Sequence, residues 1–159
     1  MSPQPDEPLN LDALHRDILL PQLESFLAAA PDGEARAPYL ALREAVEALI
    51  VPPELAGRLG AVAEVLLTSG RVRNLYGPGA ELSLRTLFQK TPQGRQAASS
   101  IDTANKALQR LAGQVIQDIS AVARGPGAYA VTIKTAELQL VVRFEQAGVR
   151  VENVEVGGG

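Results

Sequence analysis

At 159 residues, with 46% hydrophobic residues and a net charge of −3, the chain is sized for one domain or for a helical region plus a small sheet-bearing one. It contains no cysteine, which excludes disulfides, thiolate zinc sites and cysteine nucleophiles, and no stretch approaches the roughly 18 uncharged apolar residues of a membrane span. Its charge is sorted by position. Residues 1–70 hold eleven acidic and four basic side chains, 71–110 two and seven, and 111–159 five and four, local balances of −7, +5 and −1.

Residues 1–8, acidic and proline-rich, read as a disordered tail without the basic and apolar regions of a signal peptide. Asn10 can cap a first helix with Leu11, Leu14 and Ile18 on one face. Pro21 lacks an N–H, so it breaks or kinks that helix, or opens a second short one carrying Leu23, Phe26 and Leu27. After a turn at Pro31-Asp32-Gly33, a helix from near Pro38 places Tyr39, Leu42, Val46 and Leu49 on one stripe and ends at Pro52-Pro53. Pro53 opens the next, with Leu55, Leu59, Val62 and Leu66 in register and Gly70 just past its end.

Residues 71–79 read as a connector, followed by a short helix with Leu82, Leu84, Leu87 and Phe88 up to Thr91-Pro92. The longest helix is expected from about 95 to 124, with a capping box at Ser99 and Asp102. Along it Ile101, Leu108, Val115 and Val122 recur every seven residues, and Ala104, Leu111 and Ile119 fill the alternate seam. Two Gly-Pro-Gly-Ala sequences, at 77–80 and 125–128, read as helix-boundary punctuation. The period then changes to two, giving three antiparallel strands through Val131, Val142 and Val151, with a bulge or change of face at Glu152-Asn153.

The expected fold class is therefore α+β: a mostly helical N-terminal two-thirds, then a long helix packed on a C-terminal three-stranded antiparallel meander. The expected divisions are a helical region over 9–90, the long helix and sheet over 91–156 forming one compact unit with it, and a frayed end at 157–159.

Catalytic vocabulary is sparse. His15 is the single histidine and lies between Asp12 and Asp17 on the first helix, where a solvated side chain is expected. No Gly-x-Ser-x-Gly sequence accompanies it. Asp12, His15 and Asp17 do not share one helix face, so no metal site is expected. Glu44 with Glu47, and Glu152 with Glu155, are acidic pairs of the kind a solvated surface carries. Each Gly-Pro-Gly loses a backbone donor at its proline, which disfavours a phosphate cradle, and no cofactor is expected.

The basic centre is the informative feature. Arg71, Arg73, Arg85, Lys90 and Arg95 lie within 25 residues that contain one acid, Glu81. Arg71 and Arg73 flank Val72 and would point the same way from an extended stretch. The five can contact phosphates or an acidic protein face, or pair with the acidic N-terminal helices of this chain or a second copy. The stripe of Ile101, Leu108, Val115 and Val122 is a self-association seam or the cover of the chain's own sheet.

Three functional readings follow. The first is a non-catalytic cytoplasmic protein-interaction or scaffold protein, self-associating through charge complementarity or its long helix. The second is a nucleic-acid-associated protein contacting phosphates through 71–95. It is limited by the net negative charge and by six aromatic residues without tryptophan. The third is an enzyme or small-ligand binder with a site between helices and sheet. Partners are expected to be protein or a second copy before nucleic acid, with no membrane.

Overall fold

The computed structural model describes residues 6–145 and 148–155, the last two by backbone alone. Of the tail expected over 1–8, residues 1–5 lie outside these residues, as does the frayed end at 157–159; residues 6–8 are exposed and belong to no helix or strand. The fold is α+β, and it divides between Arg95 and Gln96 into two compact units.

The first unit begins with strand β1 (Leu9–Asn10), which pairs antiparallel with β2 (Ile50–Val51). Asn10 is thus committed to a strand, and the first helix, α1 (Ala13–Ala29), is capped by Asp12 instead. Its carboxylate Oδ1 accepts from the His15 backbone N–H at 2.8 Å, and the Asp12 N–H donates to His15 Nδ1 at 3.2 Å. Pro21 does not break α1. The buried residues on either side of it, Ile18, Leu19, Leu23 and Leu27, share one helical stripe. At about 1.5–3 kcal/mol for each buried side chain, their burial outweighs the roughly 3 kcal/mol of an interior proline. The N–H missing at Pro21 would have served the Asp17 carbonyl. That oxygen instead accepts from the Tyr76 hydroxyl at 3.4 Å.

Helix α2 (Ala37–Glu47) starts with Pro38 in its first turn and stops five residues before Pro52. It stops there because Leu49 adopts a left-handed φ of 62°, which turns the chain into β2. The Leu49 carbonyl accepts from the Leu11 N–H at 2.9 Å, so this turn and the β1–β2 pair clasp the start of the chain. Pro53 opens a short 3₁₀ turn leading into α3 (Ala56–Thr68), whose Leu59, Ala63 and Leu66 are buried. Gly70, at φ 71°, follows as expected.

The expected connector is a helix, α4 (Arg71–Tyr76), bounded by Gly70 and by Gly77 at φ 91°. It buries only Val72, and six residues with one buried position leave no period to read. Helix α5 (Pro78–Phe88) buries Leu84 and Leu87. Thr91 then caps α6 (Pro92–Gln109) in place of the expected Ser99–Asp102 box: its buried hydroxyl oxygen accepts from the Gly94 N–H at 3.2 Å. A Cβ at Gly94 would overlap the Phe88 carbonyl oxygen, so the α5–α6 turn requires glycine there. The core of this unit is aliphatic, with Leu19, Leu42, Val46, Val51, Leu59 and Leu84 fully buried.

The second unit corrects the long helix and the three-stranded sheet. Helix α6 ends at Gln109, the chain turns through Gly113 at φ 78°, and residues expected to be helical form β3 (Asp118–Gly125). With β4 (Ala128–Lys134), β5 (Leu138–Glu145) and β6 (Gly148–Glu155) it makes a four-stranded antiparallel meander in the order β3-β4-β5-β6. The helical reading fails because pairing of β3 with β4, from Asp118↔Lys134 to Ala123↔Tyr129, satisfies the backbone through residues that local periodicity cannot see. The second Gly-Pro-Gly-Ala is accordingly the β3–β4 hairpin turn and not a helix boundary. A bulge lies between Ala123 and Gly125, whereas pairing through Glu152 and Asn153 is regular.

One sheet face holds the buried Ile133, Leu138, Leu140 and Val142. The chain before the sheet spans that unit end to end. Ser100 Oγ on α6 accepts from the Val149 N–H at 3.4 Å, and Gln114 Oε1 accepts from the Thr135 hydroxyl at 2.6 Å. The same face extends to Ile119 and Tyr129, which are exposed. No helix among the described residues is long and apolar enough to cross a membrane.

Candidate functional site

The five bases of the central segment do not form one cluster. Arg71 and Arg73 lie on α4, where a separation of two residues points them apart instead of together. Arg71 donates to Gln22 Oε1 on α1 at 3.2 Å. Arg73 approaches Glu81 at 4.0 Å, and Arg85 pairs with the same carboxylate at 2.7 Å. Glu81 is only 15% exposed, so the single acid of the segment draws two of its five cations. Of the acids before residue 70, Glu24 and Glu47 both lie 3.6 Å from Arg43. Arg95, in the second turn of α6, is also engaged.

Lys90 borders a cleft of about 390 Å³ lined by Asn10, Asp12, His15, Gly79, Ser83 and Thr86 among others. His15 is not the solvated side chain expected. It is 12% exposed, and its Nε2 lies 2.9 Å from Ser83 Oγ and 3.2 Å from the Ser83 carbonyl oxygen on α5. Its Nδ1 faces the Asp12 N–H and, at 3.2 Å, Asp12 Oδ1. Serine, histidine and aspartate are therefore in the order of a catalytic relay, and the tautomer decides what they do. A relay needs an unprotonated Nε2 accepting from the serine. The neighbours pull both ways: the Asp12 N–H and the Ser83 carbonyl suit an acceptor at Nδ1 and a donor at Nε2, whereas the Asp12 carboxylate and the Ser83 hydroxyl suit the reverse. In either tautomer the arrangement ties the start of α1 to α5. Ser83 lies 68 residues from His15, and no local signal in the sequence joins them.

A smaller apolar groove of about 160 Å³ runs past Phe26, Tyr39 and Val65, with the Phe26 and Tyr39 rings 4.6 Å apart and the Arg58 guanidinium 5.2 Å over Tyr39. No three His, Asp or Glu side chains gather into a metal site among the described residues.

The self-association stripe is dispersed. Ile101 and Leu108 are on α6, Val115 is in the following connector at 81% exposure, and Val122 is on β3. What replaces it is a sheet edge. All of β3 is exposed, including Ile119 at 59% and Val122 at 53%, and among the described residues only its β4 side is paired. The opposite edge, β6, carries Arg150 and Glu152 within the strand, the usual guard against pairing with other chains. The interior of β3, Ile-Ser-Ala-Val-Ala, carries no charge. Compared with protein families, curated proteins and solved structures, the chain matches none.

Proposed function

We propose that this chain is a non-catalytic protein-interaction or scaffold protein whose working surface is the β3 edge of its C-terminal unit. The observation that supports this reading is an eight-residue edge strand, exposed throughout, with its charges and bulge confined to its ends and none over Ile119–Ala123, in a sheet whose other edge carries charges within the strand. Such an edge binds by adding an extended strand: main-chain hydrogen bonds give affinity, and alternate side chains give selectivity. The basic segment supports a phosphate-binding role less well, because Arg73 and Arg85 already share Glu81. The proposed location is the cytoplasm, in keeping with a chain that has no cysteine.

The test is an amide-resolved titration with short extended peptides rich in β-branched residues. Shifts confined to residues 118–125 and their β4 partners are expected. The proposal fails if no peptide moves those amides and the protein also shows no association at any concentration.

A further inference from the structure

Resting on the edge reading above, we infer that the natural occupant of β3 is β3 of a second copy, paired antiparallel about a two-fold axis through Ala121. The charges of the strand carry the argument. Asp118 stands at one end and Arg124 at the other, with none between. An antiparallel self-pairing centred on Ala121 sets Asp118 of each copy opposite Arg124 of the other. It also sets Ile119 against Ala123 and Ser120 against Val122 on both sides of the axis. A parallel pairing in register would set acid beside acid and base beside base. A slip by one residue moves each carboxylate off its guanidinium and turns the apolar set to the other face.

The rest of the strand fits the same register. Ala121 at the axis is small enough for two backbones to close to about 4.5–5.5 Å between opposed Cα atoms. Arg124 falls in the β3–β4 bulge and has no residue opposite it in β4. Among the described residues neither Asp118 nor Arg124 has an ion-pair partner in its own chain. Lys134 lies across from Asp118 in β4, so in the pair the carboxylate would stand between two cations. The product is a closed, isologous dimer with one continuous eight-stranded sheet, and it removes the exposed edge. Exposed ion pairs contribute little each, so here they select direction and register more than affinity.

The absence of cysteine makes the register directly measurable. Ala121→Cys places one thiol opposite its own symmetry mate, within disulfide reach. Under mild oxidation it should form a covalent dimer, whereas Ile119→Cys alone and Ala123→Cys alone should not, and a mixture of those two should. Sedimentation of the unmodified chain over a concentration series should show a monomer–dimer equilibrium. Asp118→Arg and Arg124→Asp should each raise the dissociation constant by about tenfold. The double variant should restore the native value, and the two single variants mixed should form a heterodimer.

A native chain that stays monomeric throughout, or a double variant no tighter than the singles, overturns the self-pairing. A monomeric chain that still takes a foreign strand at 118–125 overturns this inference alone and leaves the edge reading standing. Cross-linking of Ile119→Cys with itself overturns the register.

Discussion

The helical unit ending at Arg95 and the sheet unit after it dispose of apolar side chains in different ways. In the first, helices α1, α2, α3 and α5 turn their stripes toward one centre, where Leu19, Leu42, Val46 and Leu59 are fully buried. In the second, one face of the sheet is closed over β5, at Leu138, Leu140 and Val142, and open toward β3, at Ile119 and Tyr129. A helix bundle satisfies its backbone within each helix, so it can close completely. An open sheet always ends in a strand whose outer N–H and C=O groups lack partners. The difference places the candidate interaction surface in the unit with the smaller core.

The strongest way to break this contrast is a matched pair of truncations. Leu59→Ala should destabilise the chain by about 2–5 kcal/mol, through lost burial and the cavity left behind. Ile119→Ala should cost roughly 0.5 kcal/mol or less in a dilute sample, because its side chain is already wet. Denaturant midpoints read from both at one low concentration give the comparison, and equal losses would show that β3 is covered.

A backbone test follows. Gly94→Ala should cost about 1–3 kcal/mol, since its new methyl group meets the Phe88 carbonyl at the α5–α6 turn. The faster hydrogen exchange this predicts should appear in α5 and the first turn of α6. If it appears only in the sheet, the boundary at Arg95 is misplaced.

The smallest effect sharpens the account of α1. Tyr76→Phe removes the donor to the Asp17 carbonyl and should cost roughly 0.5–1 kcal/mol. In a Pro21→Ala background, where a backbone N–H serves that oxygen, the same change should cost almost nothing. A thermal-melting double-mutant cycle measures the coupling. Additive losses would mean that the hydroxyl is not replacing the proline's missing bond.

Much of the helical unit was legible in the sequence. Leu42 and Val46, or Leu59 and Leu66, repeat at helical spacing because the contacts that bury them come mostly from one element at a time. The sheet unit was legible from Tyr129 onward, where alternation is strong. It was not legible at β3: Ile101, Leu108, Val115 and Val122 fit a heptad by spacing, yet only Ile101 and Leu108 lie on a helix, and Val122 is taken into strand pairing with 128–134. The basic residues were identifiable, but their partners were not, because Arg71–Gln22 and His15–Ser83 span distances that no local pattern encodes. The exposed edge was visible only after β3 was recognised as a strand.

The clasp at the start of the chain has a consequence for the order of assembly. Leu9 meets Val51, and Leu11 meets Leu49, across about forty residues of intervening chain. Closing so long a loop for a two-residue ladder is entropically unfavourable until α1 and α2 have already docked and brought its ends together. Residues 9–11 are made before the helices they join, yet they take their places after them. The left-handed turn at Leu49 is the catch that waits for them.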